Sequence, residues 1–81
     1  MISCEQHDYI EIVCTFKYPI KLRMKSGETI EGVAQDTSLN ENRAECIKVK
    51  IKDVESLVIL EAIMKMEVCV DNPHFKSVSF S

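Results

Sequence analysis

Glycine is scarce in this 81-residue chain: there are two, Gly27 and Gly32, and they are not part of a glycine-rich run. A phosphate-cradling glycine loop is therefore excluded. No apolar stretch approaches the roughly 18 residues of a membrane-crossing helix, and no secretory apolar core is recognisable, so a soluble cytoplasmic protein with no membrane partner is expected. The four cysteines, Cys4, Cys14, Cys46 and Cys69, lack the C-x-x-C spacing of zinc and redox motifs, which points to reduced thiols used for packing. Cys4, His7, Cys14 and His74 carry donor atoms suited to a metal. Only Cys4 and His7 have the spacing of a shared helical face, so neither a metal nor another cofactor is expected. With no nucleophile motif, and with His7 and His74 as the only candidate bases, the chain does not read as an enzyme.

What is present is unevenly distributed charge. Thirteen acidic residues stand against ten basic ones, a net charge of -3, which gives no general reason to expect nucleic-acid binding. The first 14 residues contain Glu5, Asp8 and Glu11 and no lysine or arginine, whereas the stretch from 17 to 25 contains Lys17, Lys21, Arg23 and Lys25 and no acid. A chain of this length is expected to form one domain over residues 1–81 and to bury about 60 to 65% of its unfolded surface, too little for a deep enclosed site.

A helix is expected over about residues 3–14. Ser3-Cys4-Glu5-Gln6 fits a capping box. On the helix Tyr9, Ile10, Val13 and Cys14 gather on an apolar side, and Glu5, Asp8 and Glu11 follow at i, i+3 and i+6 on an acidic side. Ile20, Leu22 and Met24 then alternate with Lys21, Arg23 and Lys25, the period of a strand with one dry face. Ser26-Gly27 makes the turn of a hairpin. Gly32, inside the returning strand, marks a bend, a bulge or a close backbone approach, which would let that strand pair with one neighbour at its start and another at its end.

After the polar loop Asn40-Glu41-Asn42-Arg43, a third strand sets Cys46 or Ile47, Val49 and Ile51 against Lys48, Lys50 and Lys52. Asp53 to Ser56 reads as a turn, and Leu57-Val58-Ile59-Leu60 as a strand buried on both faces. Glu61-Ala62-Ile63 reads as a step out of strand before Met64 to Val68. Asn72-Pro73 ends that strand, and Phe75, Val78 and Phe80 suggest a short closing one. The fold class is thus α+β, mainly β: an N-terminal α-helix followed, over about 18–80, by a small, strongly bent antiparallel β-barrel of five or six strands.

The run Gly27-x-x-Ile30-x-Gly32 followed by Asp36-x-x-Leu39-Asn40 resembles the first signature of the Sm-like fold. The basic-glycine second signature has no counterpart, since Leu57 to Val68 contain no glycine. A free monomer is accordingly expected rather than a ring. Cys4-x-x-x-Asp8-x-x-Glu11-x-x-Cys14, with Lys25-Ser26-Gly27-Glu28 after it, resembles the Rho-binding antiterminator family, Rof or YaeO. The resemblance implies an Sm-like barrel behind a helix, with the transcription termination factor Rho as partner. It also implies an inhibitor of Rho-dependent termination that keeps RNA from Rho's primary site. The implied partner-binding residues are Asp8 and Glu11, with Glu5 in the same patch and Asn42 and Arg43 in the loop. His7 stands where that family often has tyrosine.

A site that attracts RNA must present cations, so three carboxylates on a rigid helix suit a decoy, with no direct contact between this chain and nucleic acid. The alternative is an Sm-like RNA-binding module that uses the Lys21/Arg23/Lys25 and Lys48/Lys50/Lys52 faces. No aromatic residues are interleaved there to stack bases.

Overall fold

The computed structural model describes residues 4–80, and of Cys4 the backbone only. Helix α1 spans Cys4–Thr15. The serine of the expected capping box, Ser3, lies outside the described residues. At the other end the Tyr18 N–H donates to Val13 O at 3.0 Å and the Lys17 N–H to Cys14 O at 3.3 Å. With Lys17 at φ 54 this is the left-handed helix stop usually made by glycine. The Lys17 ammonium donates to the Gln35 carbonyl, holding the helix end to the sheet.

Six strands follow: β1 (Pro19–Met24), β2 (Thr29–Leu39), β3 (Glu45–Ile51), β4 (Val54–Ile59), β5 (Ile63–Val68) and β6 (Ser77–Ser79). All adjacent pairs are antiparallel, in the order β4-β3-β2-β1-β5-β6. The mainly β architecture behind one N-terminal helix agrees with the expected class. Val78 lies within a short last strand, β6, with Phe75 and Phe80 on either side of it in the chain.

The bent second strand is realised in β2. Its first part, Thr29–Val33, pairs with β1, and its second part, Val33–Leu39, pairs with β3. The register shifts between Ala34 and Asp36, leaving Gln35 as an extra residue that sharpens the bend. Gly32 lies against β3: a Cβ there would sit 2.6 Å from Val49 Cγ1 and 2.7 Å from Lys50 O. Close approach, not an unusual φ, is what requires the glycine.

Two expectations are corrected. The β3–β4 turn is Lys52–Asp53, both with positive φ (49 and 69), so Lys52 is not on a strand and Val54 already begins β4. Nor is Leu57–Leu60 a doubly buried strand. Strand β4 pairs only with β3, Leu57 and Ile59 are 47% and 42% exposed, and Leu60 begins a 3-10 turn, Leu60–Ala62. Of that apolar run Val58 and Leu60 alone are buried.

The core joins Ile10, Val13 and Cys14 of α1 to Ile20 and Leu22 of β1, Ile47 and Val49 of β3, and Met66 of β5. Each of the larger aliphatic side chains contributes about 1.5–3 kcal/mol by leaving water. Tyr9 adds a tilted ring contact to Phe75, centroids 4.7 Å apart, which ties the helix to the β5–β6 loop. Asn72 shapes that loop: its amide donates to the carbonyls of Val70 and Phe75, and its Oδ1 accepts from the N–H groups of His74 and Phe75.

Candidate partner-binding surface

Because Ile10, Val13 and Cys14 turn one face of α1 into the core, the residues at the complementary positions are left in water. Glu5, Asp8 and Glu11 are all exposed. None of the three carboxylates has a hydrogen-bond or ion-pair partner among the described residues. Glu5, in the first turn, also suits the positive end of the helix dipole.

Asn42 and Arg43 occupy the turn between β2 and β3. Asn40 builds that turn: its Oδ1 accepts from the N–H groups of Asn42 and Ala44, both at 2.9 Å, and the Arg43 N–H donates to the Asn40 carbonyl at 3.0 Å. With Arg43 at φ 63, the turn leaves both the Asn42 and Arg43 side chains exposed. Helix and turn are linked at their base by an unforeseen contact. His7 Nε2 lies 2.9 Å from Oε2 of Glu45, the first residue of β3. No local sequence pattern signals a pair so far apart in the chain.

The sheet register sets acidic residues opposite several lysines of the basic stripes. Lys21 lies between Glu31 on β2 and Glu67 on β5, Lys50 is opposite Glu55, and Lys48 is opposite Asp36. Glu67 Oε1 is also 3.5 Å from Arg23 Nε and 4.0 Å from Lys65 Nζ. Directly opposed residues share a face, so Lys21, Lys48 and Lys50 each have a carboxylate as a cross-strand neighbour, whereas Lys65 is opposite Arg23 and Ser79.

The residues with metal-binding potential are dispersed. His7 faces Glu45, Cys14 is in the core, and His74 stacks on Phe16 with centroids 5.0 Å apart. Among the described residues no group of three or more His, Cys, Asp or Glu could hold a metal ion. Cys14, Cys46 and Cys69 are free thiols, the first two buried. Burial, reinforced by Asp36 and Glu11 and opposed by Lys17, pushes the Cys14 thiol from 9.0 up to about 11. The unfolded thiol loses its proton first, so Cys14 favours folding fully below pH 9 and progressively less up to about pH 11. Unfolding in denaturant across that range should show the wild type losing on the order of 2 kcal/mol more stability than Cys14→Ala.

The profile of a family described as modulator of Rho-dependent transcription termination matches residues 1–80. The chain belongs to that family. Among solved structures, YaeO bound to magnesium from Vibrio cholerae O395 is similar to it, with 40% identity and a TM-score of 0.88 over 91% of this chain and 96% of that one. Comparison with curated proteins finds no match. No described helix is long and apolar enough to cross a membrane.

Proposed function

We propose that this Rof-family chain inhibits Rho-dependent termination by binding Rho and keeping RNA from its primary binding site. The observation that carries the reading is the exposed row Glu5, Asp8 and Glu11, without partners among the described residues and held on a helix whose other face is locked into the core. A site that binds RNA presents lysine and arginine to phosphates, and carboxylates on a backbone already ordered by the fold compete for those cations at a reduced ordering cost. Asn42 and Arg43 supply neutral and cationic contacts beside the acidic row. The whole chain acts as one domain, as a cytoplasmic monomer when free, by occupancy alone and without catalysis.

The test is displacement of labelled RNA from Rho. The chain should release the RNA in a concentration-dependent way, and the effect should weaken as salt rises. RNA retained on Rho at saturating chain would end the proposal. The same RNA titrated with the chain alone should show no tight, salt-sensitive binding. Tight binding there would favour the RNA-binding module, which the facing carboxylates of the lysine stripes already disfavour.

A further inference from the structure

Between α1 and the base of the β2–β3 hairpin lies a recess of about 300 Å3. Ile10, Cys46 and Leu60, each no more than 2% exposed, give it an apolar floor, and Leu39, 57% exposed, adds an apolar side chain open to solvent. Two exposed carboxylates, Glu11 and Glu45, line it as well, and no lysine or arginine of this chain does. Glu11 has no partner among the described residues, and Glu45 has His7 on Oε2 only. The recess therefore combines an apolar floor with two exposed carboxylates, and the His7 imidazole lines it beside Glu45.

We propose that this recess receives one arginine side chain of the protein partner, its aliphatic stem along Ile10, Leu39 and Leu60 and its guanidinium beside Glu11 and Glu45. The proposal rests on the reading that the helix face docks on Rho, and it adds an anchoring pocket to a surface otherwise described by charge alone. The volume is at the lower limit for small-molecule sites, which suits a single side chain. The charge selects a cation and excludes a phosphate. Arginine fits better than lysine because its stem covers apolar surface while its planar, five-donor head can serve two carboxylates together. His7 takes a positioning role: by engaging Glu45 from α1 it sets the helix carboxylate and the strand carboxylate on the two sides of one recess.

The experiment measures Rho affinity for Ser38→Phe, which fills the recess from β2, for Glu45→Gln and for Asp8→Lys. Thermal melts check folding. Ser38→Phe should weaken binding about tenfold or more and Glu45→Gln about threefold to tenfold, magnitudes expected for a filled pocket and a lost charged contact. If Ser38→Phe does not fold, Glu45→Gln decides. Wild-type affinity in the folded recess variants, with Asp8→Lys weakened, overturns the recess and leaves the helix reading standing. Wild-type affinity in Asp8→Lys overturns both. In a separate titration followed by amide resonances, N-acetyl-arginine amide at millimolar concentration should shift Glu11, Leu39 and Cys46 more than N-acetyl-lysine amide does. Equal or absent shifts overturn the assignment to arginine.

Discussion

Asp8→Lys and Glu11→Lys should each weaken Rho binding by about 2–4 kcal/mol, because the reversal removes an attraction and adds a like-charge clash inside a cationic site. Folding should be nearly unaffected. Both side chains are exposed and without partners among the described residues, and substitutions of that kind usually change stability by no more than about 0.5 kcal/mol. The control is Asp71→Lys, an equal change of net charge in the β5–β6 loop at another exposed position. It should slow association slightly at low salt and leave affinity otherwise intact, since a charge outside the contact acts only over the Debye length, about 10 Å at 0.1 M salt. Glu41 is a poorer control because it shares the turn with Asn42 and Arg43. Equal losses from Asp8→Lys, Glu11→Lys and Asp71→Lys, all in folded proteins, would show that general acidity steers binding and that the helix is no specific decoy.

Gly32→Ala should be the more damaging of the two glycine-to-alanine changes, lowering unfolding free energy by about 1–3 kcal/mol, and Gly32→Val should lower it further. The added Cβ would meet Val49 Cγ1 at 2.6 Å, Lys50 O at 2.7 Å and Ile51 Cγ1 at 3.0 Å. A side-chain methyl can rotate away, but the Lys50 carbonyl belongs to β3 and can move only with that strand. Gly27→Ala is the comparison that separates space from backbone conformation. Gly27 has φ +96 and nothing within 4 Å of its would-be Cβ, so its cost, about 1 kcal/mol, comes from backbone strain alone. Urea unfolding of the two variants measures the order directly. A larger loss for Gly27→Ala would mean that β2 and β3 relax apart at Gly32 without penalty.

The amino-acid sequence by itself determined the elements that depend on local periodicity and on single special residues. Ile10 and Val13 against Asp8 and Glu11 specify a helix with one wet face, Ile20, Leu22 and Met24 specify a half-buried strand, and Gly32 marks where β2 must bend, bulge or pass close to a neighbour. Motifs around Asp8, Glu11, Gly27 and Asp36 were enough to suggest the family. The tertiary structure alone decided which strand lies next to which. Leu57 and Ile59 read as interior because an apolar run has the same pattern whether one face is covered or two, and only the sheet order makes β4 an edge. Lys21 and Lys48 read as a basic face because their spacing is visible locally, whereas Glu31, Glu67 and Asp36 come to lie opposite them only through register. The His7–Glu45 pair and the recess beside it have the same origin. Periodicity reports which side of an element is dry, but meetings between residues far apart in the chain are settled by packing the whole core at once.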